Sequence, residues 1–427
     1  MVFFIACLAV AGTSLLVWRT WQTVRFGRLR RYFWPGLVLH VLAGWGVGLL
    51  YRYAYGGGDT WFFFERADAL TRLAYTDIFR YLDLLFAPER TTFESGSERT
   101  YYAVHWFSLW HLLGGRSYWL TAAYLSLLSF SGLWACMEAL AFRFPRQRRY
   151  LAMAFLFSPS VLFWSSGWLK ESILWFFLGW GIALFLNLQA GRRSCWWQWG
   201  IAMVGLFLIW KIKYYYLAAL LPALFTYGLT VALNRRYPMP MRKVILLQLM
   251  LYVGLLFLAT RLHWNLHPEH LLEAIFNSHH LVRTQTPPHN LLLRLPETPS
   301  LAALLTSVPE ALVASLFRPF VWESGSALKT LAGLETLALT LLWIGGLYRR
   351  GREVAQAGLP TPASWLPALV AVMLYLLVLA ILLPLAAPNL GSLVRFRVSF
   401  WPFWVWLSLA FFGSPNKSAG SSKEASD

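Results

Sequence analysis

The stretch GGGDTWFFFERAD, residues 56–68, places Asp59 directly after three glycines and Glu65 six residues further on. Glycine lets a backbone leave a helix through conformations that other residues avoid. A carboxylate held at such an exit can act as a general base toward a hydroxyl. It can equally cap the helix that follows. Glu65 is the second candidate acid of this loop, on a different helical face from Asp59. Asp68, three residues beyond Glu65, reads as a solvated side chain. In SPSVLFWSSGWLKES, residues 158–172, Lys170 and Glu171 interrupt a long apolar stretch. Lys170 suits a phosphate, with Glu171 orienting it. The alternative is a hairpin tip where a helix dipole favours the acid. Arg318 and Glu323 bracket PFVW in LFRPFVWESG, residues 316–325. Arg395 and Arg397 lie two apart in PNLGSLVRFRVSFWPF, residues 388–403. Arginine offers phosphate a planar fork of paired donors; near a helix end it can instead snorkel toward headgroups. Lys211 and Lys213 in KIKYYY add further positive charge.

The elements that must position these groups are membrane helices. The chain is 58% hydrophobic and only 13% charged, too little charge to cover a soluble protein of 427 residues. Apolar runs of membrane-spanning length recur from end to end, which predicts an all-α polytopic membrane protein. Spans are expected near 2–18, 32–51, 118–141, 150–165, 172–189, 196–210, 214–233, 243–260, 328–347, 363–386 and 398–413. The first has no basic flank before it and reads as a retained span. Two shorter stretches, 101–113 and 301–317, are assigned to the interface; if both cross, the total rises from about eleven to about thirteen. The basic clusters at 25–31, 143–149, 191–193, 234–243 and 349–352 then all fall on one side, the cytoplasmic one by the positive-inside rule. This spread of basic residues between apolar runs explains the net charge of +18 without nucleic acid.

The four polar stretches therefore fall together on the outer face, where charge near a bilayer is costly and points to a shared cavity. The span region, 1–413, reads as a single transmembrane domain. It has two larger outer loops, about 52–117 and about 261–300, and a disordered inner tail, 414–427. Six histidines crowd the second loop, but no metal-ligand spacing such as HExxH appears there. Cys7, Cys136 and Cys195 are too scattered for a disulfide framework or a metal motif. No metal site and no cofactor is expected.

Taken together, these motifs resemble the GT-C superfamily of integral-membrane glycosyltransferases. The likeness is strongest to bacterial relatives of the dolichyl-phosphate-mannose protein mannosyltransferases. It rests on a span leading into an outer loop with an early acid, on SPSVLFWSSGWLKES, on LFRPFVWES and on NLGSLVRFRVSFWPF, and runs from about residue 50 to 410. It implies a GT-C-like fold with interfacial helices in the outer loops. It also implies a sugar donor carried on polyprenyl phosphate and transfer at the outside of a bacterial inner membrane, in building cell-envelope polysaccharide. Asp59 matches the family's loop acid, which serves as base or positions the acceptor. Lys170, Arg318, Arg395 and Arg397 match by position the basic residues that bind the lipid phosphate. The chain departs from the pattern in lacking the Pro-Pro-Leu segment, for which RTYYAVHWFSLW stands. It also carries an additional first span and has no second acid beside Asp59.

The expected reaction is inverting: Asp59 takes the proton of an acceptor hydroxyl on a glycan, lipid or protein, and the oxygen attacks the anomeric carbon. Arginines stabilise the leaving phosphate, so the scheme requires no metal. A second reading is an O-antigen-type polymerase or ligase on lipid-linked glycans, in which Arg395 and Arg397 matter most. A third is a non-enzymatic transporter or flippase for lipid-linked glycan. That reading predicts ionisable groups deep in the spans, for which Glu138 and Glu335 are the candidates.

Overall fold

The structure is a computed structural model that describes residues 2–24, 27–87, 98–261, 264–323, 325–357 and 366–413. The tail 414–427, expected to be disordered, and His263 of the second loop lie outside the described residues. The described residues form helices and no strands. In order these are α1 (Val2–Val24), α2 (Arg30–Tyr53), α3 (Asp59–Thr76), α4 (Ile78–Phe86), α5 (Glu98–Leu113) and α6 (Tyr118–Arg143). Next come α7 (Arg148–Ala152), α8 (Pro159–Trp164), α9 (Lys170–Gln189), α10 (Trp196–Arg236), α11 (Met241–Ala259) and α12 (Pro268–Thr284). The chain continues with α13 (Leu301–Phe317), α14 (Ala327–Ala357), α15 (Leu366–Ala386), α16 (Leu390–Phe396) and α17 (Trp401–Gly413). Seven are long and apolar enough to cross a membrane: α2, α6, α9, α10, α11, α15 and the Ala327–Arg349 part of α14. The protein is an all-α, multi-pass membrane protein.

The centre of the bundle is the packing of α6 on α9. Small residues let two backbones approach where lipid supplies no hydrophobic drive between helices. Gly132 and Gly179 meet at this crossing, and a methyl group on Gly132 would stand only 2.8 Å from the Cα of Phe176. Large aromatic side chains fill the space around it, among them Trp168, Trp175 and Trp401, all fully buried. Two of these indoles have their N–H satisfied: Trp168 donates to the carbonyl of Tyr118 at 3.0 Å and Trp175 to that of Val398 at 3.0 Å.

Helix α10 shows how two expected spans are joined. The two spans expected at 196–210 and 214–233 form one element, broken only at Lys213, which has non-helical angles (φ −148°, ψ 65°). The arm before the break meets α9 at Trp180 and Phe177, progressively nearer its start; the arm after it meets Phe185 and Gln189, near its end. The chain therefore turns back at Lys213, at the end of α9 that begins with Lys170. Segment 150–165, expected as one span, is likewise broken. It forms α7, a π-helical turn (Met153–Phe157) and α8, which starts at Pro159. Glu335 of α14 holds this break, accepting hydrogen bonds from the Ser158 hydroxyl at 2.5 Å and the Ser160 N–H at 3.3 Å.

The first loop folds into α3, α4 and α5. Helix α3 buries Thr60, Phe63, Ala67, Leu70 and Thr71, an i, i+3, i+4 stripe, against Ala103, Val104 and Phe107 of α5. The 101–113 stretch is thus core of the loop rather than a membrane-interface helix. Helix α4 fills that role better: Phe79 and Phe86 are 82% and 85% exposed on one face, as in a helix lying at a lipid surface. Asp68, expected to be solvated, is buried. It accepts two hydrogen bonds from Arg116 (2.7 and 3.0 Å), one from Arg72 (2.9 Å) and a contact from His111 (3.2 Å), tying α3 to the α5–α6 corner. The second loop contributes α12, which packs on α15. His279 fixes it, with Nδ1 donating to the Leu385 carbonyl at 2.9 Å and Nε2 accepting from the Leu295 N–H at 3.2 Å.

Candidate active site

Three consecutive glycines with positive φ (Gly56 +65°, Gly57 +127°, Gly58 +96°) carry the chain out of α2. A side chain at any of the three would strain the turn, because L-residues avoid this region. Asp59 is the first residue of α3, and Gly58, not Asp59, occupies the capping position. The carboxylate is consequently not spent on capping. It forms an ion pair with Nη1 of Arg395, while remaining 49% exposed.

Arg395 lies at the centre of the site. It sits near the end of the short helix α16, which Asn389 caps by accepting from the Ser392 N–H at 3.0 Å. Besides Asp59, its guanidinium approaches the Tyr51 hydroxyl at 3.5 Å and Oε1 of Glu171 at 3.8 Å. Burial disfavours the charge on Arg395, but the Glu171 and Asp59 carboxylates outweigh it and raise its pKa above the ordinary arginine value.

Glu171 is buried in the first turn of α9, where the helix dipole favours an acid. Its Oε1 accepts from Lys213 Nζ at 2.8 Å. Lys213 reaches it because the break in α10 falls at that residue. Its ammonium also lies 4.0 Å from the centroid of the Phe396 ring. Lys170 points the other way, donating to Thr100 Oγ1 at 3.3 Å beside the ring of Phe63.

These groups border a cavity of about 520 Å³. Arg99, Lys170, Lys213 and Arg395 outnumber Asp59 and Glu171 along it, so its polar wall is net positive. The opposite wall is apolar, built from Leu271, Ile275 and Val282 of α12 and Leu382 and Leu383 of α15. A second cavity of about 520 Å³ lies on the other side of the Asp59–Arg395 pair. Tyr51, Tyr55, Ser160, Trp164, Lys329 and Asn389 line it, and Asp59 and Arg395 line both. The pair is therefore a shared wall.

Of the sequence candidates, Asp59, Lys170, Glu171 and Arg395 come together at this cavity. Glu171 does not orient Lys170; it bridges Lys213 and Arg395. Glu65 is exposed and lines neither cavity. Arg318, Glu323 and Arg397 are also placed elsewhere. Arg318 donates to Glu323 at 3.1 Å and to the Leu292 carbonyl at 2.9 Å, and Glu323 also accepts from the Phe320 N–H at 2.8 Å. Arg397 is fully buried, lies 3.6 Å from the centroid of the Trp401 ring and donates to the Arg318 carbonyl at 2.5 Å. Burial pushes Arg397 down to about 10. These three residues brace the turn between α13 and α14 against α17. The sequence reading missed Arg99 and gave Lys213 no specific task. The signal for Lys213 was present, as a charged break between two apolar runs; nothing local marks Arg99. Among the described residues no three His, Cys, Asp or Glu side chains gather as a metal-holding group.

No family model, no curated protein and no solved structure matches this chain. Function rests on the site itself.

Proposed function

We propose that this protein is a membrane glycosyltransferase that moves a sugar from a polyprenyl-phosphate donor to an acceptor hydroxyl, in the outer leaflet of a bacterial inner membrane. The observation that carries the reading is the half-exposed Asp59 paired with Arg395, at the wall between two cavities, one of them basic on one side and apolar on the other. The basic cavity suits a lipid phosphate: Arg395 and Lys170 supply the donors, and the wall from α12 and α15 takes the first isoprene units. The GT-C resemblance of the sequence motifs points the same way.

In this scheme the phosphate competes with Asp59 for Arg395. Donor binding draws the guanidinium to the phosphate and leaves the Asp59 carboxylate to accept a proton. The acceptor oxygen bonds to the anomeric carbon as its proton passes to Asp59. The bond from that carbon to the phosphate oxygen breaks, and polyprenyl phosphate leaves as an anion held by Arg395 and Lys170. Glu171 and Lys213 hold Arg395 in place from behind.

The test is sugar transfer by the purified chain with a polyprenyl-phosphate-sugar donor. Asp59→Asn is expected to lower the rate by about 10²–10⁴, the range of a lost general base. Near-normal transfer by this variant removes Asp59 as the base.

A further inference from the structure

The end of the bundle opposite the Asp59 cavity carries a second kind of site. Helix α9 connects the two: Lys170 at its start borders the Asp59 cavity, and Gln189 at its end borders another cavity of about 250 Å³. Twenty residues of α-helix span about 30 Å, the thickness of a bilayer's hydrocarbon core. The two cavities therefore belong to opposite leaflets. The far one is framed by the ends of α6, α9 and the second arm of α10, with Arg143, Arg235 and Gln189 as its polar lining. Arg192 stands beside it, its guanidinium 4.6 Å from the centroid of the ring of Phe142, which is itself a lining residue. Glu138, one helical turn before Phe142, acts electrostatically on Arg192 and offsets part of this charge.

Leu186 and Tyr227 line this cavity and also a small slot of about 50 Å³ between α6, α9, α10, α15 and α17. No charged side chain lines the slot; Leu140, Ile182, Leu224 and Trp406 are typical of it. A basic pocket that continues into an apolar slot matches the chemistry of a lipid, not of a free anion. Phe142, 53% exposed, and Leu188, 42% exposed, flank the mouth with further apolar surface. Basic pockets between membrane helices on the positive side are suited to anionic headgroups. A zwitterionic headgroup would bring its own cation toward the arginines.

We propose that a glycerophospholipid with an anionic headgroup binds here, its phosphate between Arg143 and Arg235 and one acyl chain lying over Leu186, with only a few of its methylenes entering the slot. This site is independent of the glycosyltransferase reading.

The experiment uses the delipidated full chain in detergent and counts bound phosphatidylglycerol by native mass spectrometry across a titration. Phosphatidylcholine and inorganic phosphate are run as separate arms. One tight phosphatidylglycerol is expected, with phosphatidylcholine binding at least about fivefold more weakly. Arg235→Gln alters an exposed residue at a helix end, so folding is not at stake; it should weaken binding about fivefold or more, and Arg143→Gln with Arg235→Gln further still. Leu186→Trp, which fills the slot, should weaken the lipid as well. Arg146→Gln, an exposed arginine at the same end but outside the cavity, should change nothing. Equal binding of the two lipids, full retention by Arg235→Gln, or equal loss in Arg146→Gln overturns the site. Displacement of the lipid by millimolar inorganic phosphate, or an unaffected Leu186→Trp, overturns the acyl-chain half of the assignment.

Discussion

Replacing Glu171 tests whether the charged centre behind Arg395 works as one unit. Glu171 and Lys213 are 2% and 6% exposed, and their charged atoms stand 2.8 Å apart, with Arg395 at 3.8 Å from the same carboxylate oxygen. At an effective dielectric of about 20 these separations correspond to gross attractions of about 6 and about 4 kcal/mol. Most of that offsets the cost of burying the ions. Removing one partner leaves a buried charge uncompensated, at a net cost of about 3–5 kcal/mol. Glu171→Gln is expected near the top of that range, because it strands Lys213 and leaves Arg395 with Asp59 as its one carboxylate neighbour among the described residues. Lys213→Met is expected near the bottom, because Arg395 still faces Glu171. The double variant should lose much less than the sum, with a coupling of at least about 2 kcal/mol. The assay is reversible unfolding of all four proteins in mixed micelles, followed by tryptophan fluorescence. Losses that add to within about 0.5 kcal/mol refute the reasoning. In that case Lys213 and Glu171 are neighbours without mutual dependence, and Arg395 is not held from behind.

Three further outcomes follow from the same structure. Gly179→Ala drives a methyl group into the backbone of Gly132, 2.7 Å from its Cα, and should destabilise the α6–α9 crossing by about 3 kcal/mol in the same unfolding assay. Stability should also fall in acid in two steps. Burial, partly offset by Asp68, holds His111 down at about 4 against an ordinary 6.5, so the unfolded chain takes up this proton first and stability drains away as pH falls from about 6.5 to 4. Burial pushes Asp68 up, but hydrogen bonds from Arg116, Arg72 and His111 more than reverse it, to about 2; its contribution is present above about 3.8 and lost toward 2. His111→Gln should flatten the upper step and leave the lower one when melting temperature is measured against pH. Arg318→Ala should lower the melting temperature through loss of its bonds to Glu323 and Leu292, yet leave transfer per folded molecule unchanged; a rate loss of tenfold or more at full folding would return Arg318 to the phosphate site.

The helices were legible because lipid makes length and hydropathy nearly sufficient. The cavity was half legible. Asp59, Lys170, Glu171 and Arg395 stood out as charges that interrupt apolar runs, and costly charges keep company. Which charges meet was not legible, since Lys213 finds Glu171 across 42 residues and Arg395 finds Asp59 across 336. Residue type could not separate Arg395 from Arg397 either. Two residues of a short helix turn separate them, and that is enough to aim one at the cavity and the other into the core against Trp401. Asp68 reads as solvated in the sequence because two of its partners, His111 and Arg116, come from the far end of the same loop.

The wall between the two large cavities is made of side chains, not of backbone. Parting Asp59 from Arg395 takes a rotamer change of the half-exposed Asp59, a movement of picoseconds to nanoseconds once a competing anion has arrived, whereas parting two helices takes microseconds or longer. The compartments on either side can thus be joined and separated while α2, α9 and α16 stay where they are. Molecules held in them would meet across a gap the width of one salt bridge, and the rate at which they meet would follow the occupancy of Arg395 rather than the motion of a lid.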